Sequence, residues 1–186
     1  LIFVFGFILM FAAAFREGFE DTGVYKEMYE SIGTQYKKAV DGTFIIDDKG
    51  FNLFMVLLNH ITDDSQLLII VSSVVIVASY ITAVRKYSTD IAFSLMLLLC
   101  MDYITSLNGV RQVMAGALLL LAFPWVRDRK TVPYILLVCL LSTFHASIIV
   151  MIPLYFIISG RRLNKGITLF WIFILVCILL PSVGNL

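Results

Sequence analysis

Long apolar runs separated by short basic loops constrain this chain more than any other feature. Gln66 to Val84, Ile91 to Leu107 and Gly109 to Val126 each approach the roughly 20 apolar residues that cross a bilayer. With 60% hydrophobic residues and a mean hydropathy of +0.95, the chain is too apolar for a soluble domain of 186 residues. The expected fold class is therefore all-α, a polytopic transmembrane helical protein. The expected spans are 1–15, 66–84, 91–107, 109–126, 132–144, 146–158 and 167–181 of a single membrane domain, 1–186. An extracytoplasmic loop over 16–65 carries eight acidic against five basic residues from Arg16 to Gly50. The apolar stretch 51–61 within it is too short to cross and reads as an interfacial helix. The chain begins and ends beside apolar runs, so it reads as a fragment of a larger protein.

Charge sets the orientation. Arg85-Lys86, Arg127-Asp128-Arg129-Lys130 and Arg161-Arg162-Leu163-Asn164-Lys165 hold eight of the fourteen basic residues. The positive-inside rule places these loops in the cytoplasm. An even number of passes must then separate Lys130 from Arg161, which favours a hairpin with Phe144-His145 at its tip over one tilted span. Arg16, Asp21, Asp102, Asn108, Arg111, Gln112 and His145 all fall toward the outer face. Ionisable groups at membrane depth are expensive, so their clustering suggests a site.

The start of the 109–126 run is the focus of that cluster. Read as a helix, it has Asn108 as its N-cap and Arg111, Gln112, Ala115 and Gly116 on one polar, small-residue face. A helix N-terminus with an arginine in its first turn suits an anion, phosphate above all; the competing reading is an arginine snorkelling to the membrane surface. Asp102 is expected to support the site by pairing with Arg111 or with a backbone donor. Asp63-Asp64 read as helix caps before they read as metal ligands, and His60 as an interfacial residue. Tyr25, Tyr29 and Tyr36 either stack on sugar rings or anchor an amphipathic helix. Cys100, Cys139 and Cys177 form no C-x-x-C pair and read as small buried hydrophobes. A net charge of +1 gives no case for nucleic acid. Neither a metal nor a cofactor is called for.

The order Arg16-x-Gly18-x-x-Asp21-x-x-x-Tyr25, Lys49-Gly50-Phe51, Lys86-Tyr87-Ser88, Asn108-x-x-Arg111-Gln112-x-x-Ala115 and Phe144-His145-x-Ser147 with Pro153 resembles the EpsG family of Wzy-like polymerases of bacterial exopolysaccharide and capsule. Two elements depart from the family's pattern. Its Arg-Tyr-Gly-x-Gly-x-Asp is here Arg16-Glu17-Gly18-Phe19-Glu20-Asp21, and its Glu-Pro-Gly-aromatic is Asp48-Lys49-Gly50-Phe51. The resemblance implies a GT-C-like glycosyltransferase of the bacterial cytoplasmic membrane with its site facing outside. It would join polyprenyl-diphosphate-linked glycans, alongside other polysaccharide-assembly membrane proteins. Arg111 and Arg16, helped by Gln112 and Asn108, would hold the diphosphate. His145 leads as general base with Asp21 as rival, and as imidazolium His145 would instead hold the diphosphate. A transporter or flippase for the same lipid-linked oligosaccharide is the alternative.

Overall fold

A computed structural model describes residues 2–17, 19, 21–40 (side chains as far as 35), 48–158, 166, 169–174 and 176. Among these residues the regular structure is entirely helical. Helix α4 (Gln66–Tyr87) is the axis, with α1 (Ile2–Ala14) against one side and α7 (Val110–Leu120) against another. It is the one described helix long and apolar enough to cross a membrane. Arg85 and Lys86 sit in its last turn, where they complement the helix dipole.

The stretch expected as a polar loop holds two helices rather than one. Helix α2 (Thr22–Val40) presents Tyr25, Met28, Tyr29 and Ile32 at helical spacing, and that stripe packs onto α3 (Lys49–Asn59) and α4. Tyr29 is fully buried and its hydroxyl donates to the Thr62 carbonyl at 2.7 Å. Tyr25 meets Phe51 edge-on at 5.9 Å. These two tyrosines are core residues, not an exposed sugar platform; the Tyr36 side chain lies outside the described residues. Helix α3 also exceeds its interfacial reading. Phe51, Met55 and Leu58 are buried in the largest apolar cluster, while Leu53 and Leu57 face outward.

Asp90 caps α5 (Ile91–Leu97) by accepting from the Phe93 N–H at 3.0 Å. The rod continues through a π-helical stretch, Leu98–Tyr103, into α6 (Ile104–Ser106). Tyr103 ties it to α1 by donating to the Leu9 carbonyl at 2.7 Å. The expected span 109–126 is broken: α7 ends at Leu120, and α8 (Phe123–Arg127) starts afresh with Pro124 near its N-terminus. Proline has no N–H to give the preceding turn, so it suits a helix start and interrupts a continuing one.

Helix α9 (Thr131–Ser142), a turn over Thr143 to His145, the 3-10 helix Ala146–Val150 and α10 (Met151–Ile158) fold back on themselves. The Thr131 and Tyr155 hydroxyls lie 2.9 Å apart, and the Tyr134 and Tyr155 rings stack at 4.7 Å. Of the expected segment 167–181, residues 169–174 are helical and most of the rest lies outside the described residues, as does the basic loop 161–165. Cys100 and Cys139 are free but exposed, which corrects their reading as buried; Cys177 is outside the described residues. They share that outward surface with Phe3, Phe7, Phe11, Met101, Leu136 and Leu140, each more than half exposed. A wall this apolar has no need to bury a thiol.

Candidate functional site

The first turn of α7 is assembled from three distant parts of the chain. Gly109, not Asn108, is its N-cap, because the backbone there turns left-handed (φ 57°, ψ 42°), where a Cβ is disfavoured. The Gly109 N–H donates to Asp21 Oδ2 at 2.9 Å, joining the start of α2 to the start of α7. Arg111 then extends to Asp48, with Nη1 donating to Oδ2 at 2.6 Å. Its guanidinium carbon lies 5.9 Å from the centre of the Tyr25 ring. The arginine side chain keeps 33% of its surface accessible against 14% for Asp48, so the pair is covered mainly on the carboxylate side.

Asp48 also links Arg111 to the far turn. It precedes α3 in a left-handed conformation (φ 49°), with Gly50 in the helix's first turn. The Gly50 N–H donates to the Thr143 carbonyl at 2.8 Å, and a Cβ at Gly50 would run into the Thr143 side chain. Phe51 meets Phe144 edge-on at 6.4 Å. His145 follows directly, half-buried and extended (φ −155°, ψ 118°). Its Nδ1 is buried without a hydrogen-bond partner. Arg111 and His145 therefore share one end of the bundle, connected through the first turn of α3.

The other residues named from sequence divide into three groups. Arg16 is 7% exposed; Nε donates to Thr22 Oγ1 at 3.2 Å, and Nη1 to the Ala13 carbonyl at 2.8 Å and Ser73 Oγ at 3.1 Å. Only its Nη2 is unsatisfied. Burial pushes the Arg16 pKa below the ordinary arginine value, opposed by Tyr103 and Tyr25. This guanidinium is a knot joining α1, α2 and α4. Asp102 is exposed on the π-helical stretch and does not pair with Arg111, whose partner is Asp48. Asn108 and Gln112 line a cavity of about 470 Å³ between α7, the rod that ends at Ser106 and the 3-10 helix, together with Tyr80, Thr105, Gly116 and Ser147. Asn108 Oδ1 is itself buried with no donor. Arg111 is absent from that lining, and Ala115 is packed into the core with α9. The face expected to carry 111, 112, 115 and 116 together is thus divided between three surroundings.

The Asp63-Asp64 pair sits ahead of α4, where Asp64 Oδ1 accepts from the Gln66 N–H at 2.9 Å and Asp63 Oδ1 from Asn59 Nδ2 at 3.4 Å. His60 is exposed, with Nδ1 2.7 Å from the Val56 carbonyl oxygen. Among the described residues no three His, Cys, Asp or Glu side chains gather as metal ligands. Asp48 and Ser147 belong to two of the elements compared with the family, but the sequence alone gives neither a role in the site.

The EpsG family model matches residues 1–184. No curated protein and no solved structure matches the chain.

Proposed function

From its membership of the EpsG family, which supports a role in polysaccharide biosynthesis, we propose that this chain is the site-bearing part of a multi-pass, GT-C-like polymerase joining polyprenyl-diphosphate-linked glycans on the outer face of the bacterial cytoplasmic membrane. The observation that carries this reading is that the Asp48 to Gly50 segment holds Arg111 through Asp48 and the Thr143 to His145 turn through Gly50. The apolar outward surface of α1, α5 and α9 supports the membrane setting, since water-facing surfaces rarely expose so many large apolar side chains.

In this reaction the acceptor sugar hydroxyl attacks the anomeric carbon of the donor, and the bond from that carbon to the diphosphate oxygen breaks. The departing electron pair stays on the diphosphate, and the hydroxyl proton passes to a base. Arg111 suits the diphosphate because a guanidinium offers a fixed fork of donors and keeps its charge. Asp48 holds one nitrogen of that fork, so an incoming diphosphate competes with the carboxylate or takes the donors it leaves free. His145 is assigned the role of base, its buried Nδ1 having no hydrogen-bond partner within the protein. Asp21 is less suited because one of its oxygens holds the Gly109 N–H. Arg16 supports the site from within the fold, its remaining donor being Nη2.

The test is polymer length in cells that express the full-length protein. Arg111→Lys and His145→Ala are each expected to abolish long-chain polymer while membrane insertion stays intact. Undiminished polymer in both variants would remove the assignment. The position of the accumulating repeat unit separates this function from lipid-linked glycan transport. Units exposed outside the cell support polymerisation, and units trapped in the cytoplasm support a flippase.

A further inference from the structure

We propose that the cavity beside α7 is a neutral sugar subsite, separate from the diphosphate clamp and reading the glycan that the lipid carries; this rests on the function proposed above. Asn108, Gln112 and Ser147 supply amide and hydroxyl groups to it, and Tyr80 and Met151 supply apolar surface. Among the described residues no charged side chain lines it. A diphosphate there would lose its hydration with no cation in return, so it is the wrong ligand for this space. A purely apolar ligand would cover the Gln112 amide and the Ser147 hydroxyl and offer them no partner, which is also unfavourable. A sugar ring meets both demands. Its hydroxyls pair with the Gln112 amide and the Ser147 hydroxyl, and its C–H face lies against the tyrosine and methionine.

The volume of about 470 Å³ is within the roughly 300–1,000 Å³ of ordinary ligand pockets. Position suits the role as well. Gln112 follows Arg111 by one residue, about 100° around the same helix, so sugar and diphosphate would occupy adjoining faces of one turn. Asn108 and Gln112 thereby move from holding phosphate to reading the glycan, and Ser147 gains a function.

Gly116 makes the test clean. A Cβ there meets no heavy atom within 4 Å, so a larger side chain starts out into open space beside the cavity. Leucine is also a better helix former than glycine. The purified full-length protein in lipid nanodiscs is titrated with two probes: bare polyprenyl diphosphate, and lipid-linked glycan extracted from the host's own membranes. Gly116→Leu is expected to weaken the glycan-bearing probe by about tenfold or more and to leave the bare probe within about twofold. Asn108→Ala is expected to act in the same direction. Equal weakening of both probes by Gly116→Leu, or of neither, overturns the subsite. Wild-type protein that binds both probes equally well also overturns the subsite but leaves the clamp standing. Wild-type protein that binds neither overturns the proposed function and the subsite with it.

Discussion

At the scale of single residues, the ionisable groups were legible and their partners were not. An arginine at the head of an apolar run and a histidine between two others are conspicuous because charge is rare there. The Asp48 to Arg111 pair joins positions 63 residues apart, and nothing local in the sequence announces such a contact. The helix start was misplaced by one residue for a physical reason: Asn108 has the side chain of an N-cap, but the left-handed turn needs Gly109, and the Asp21 carboxylate arrives from elsewhere to satisfy its N–H. At Gly50 the constraint is space rather than backbone conformation, and only hydrogen fits. Alanine in place of a helical glycine ordinarily stabilises by up to about 1 kcal/mol. Here its Cβ would collide with Thr143, whose hydroxyl is held by the Leu140 carbonyl at 2.7 Å and cannot swing aside freely. Overpacking costs about 1–3 kcal/mol, so the collision wins. Gly50→Ala should therefore lower the thermal unfolding midpoint of the micelle-bound protein. Gly23→Ala, with nothing within 4 Å, should leave it unchanged or raise it. If both substitutions shift the midpoint alike, the close approach of α3 to the Thr143 turn is wrong.

At the scale of elements, the apolar runs gave the helices and lost their interruptions. Hydropathy averaged over a window does not register one extra residue per turn, so the π-helical stretch Leu98–Tyr103 was invisible, as was the restart of the chain before Pro124. Helix α2 was legible only through its tyrosines, whose spacing allowed an amphipathic helix. Its overall polarity suggested a loop, although Tyr25, Met28, Tyr29 and Ile32 already recur at 3.6-residue spacing. Those side chains make α2 part of the core, and Tyr29 gives a direct check. Removing its hydroxyl takes a donor from the partly buried Thr62 carbonyl, a loss of about 0.5–1.5 kcal/mol. Tyr29→Phe should lower unfolding stability by that amount in a denaturant titration of the micelle-bound protein. A variant as stable as wild type would mean that α2 does not dock on the loop between α3 and α4.

For the whole molecule, the question is which leaflet each end of the bundle faces. Helix α4 has 22 residues and so is about 33 Å long, enough for a hydrocarbon core of about 30 Å. Crossing at that length, it would separate Gln66 from Arg85-Lys86 by the full membrane. Helix α9 has 12 residues and spans only about 18 Å, so the turn at His145 would stop short of the opposite surface. A recessed turn of this kind is tolerated where protein lines it, and α3 packs its Gly50 and Phe51 against it. The positive-inside rule then puts Lys86 and Arg129 in the cytoplasm and Glu27, on the exposed side of α2, outside. A version of the full-length protein with its cysteines replaced by alanine allows this to be read directly with a charged, membrane-impermeant thiol reagent. Glu27→Cys should label in intact cells, whereas Lys86→Cys and Arg129→Cys should label only after permeabilisation. The reverse pattern would turn Arg111 and His145 toward the cytoplasm. There a nucleotide-activated sugar becomes the natural donor, and polymerisation outside the cell loses its basis.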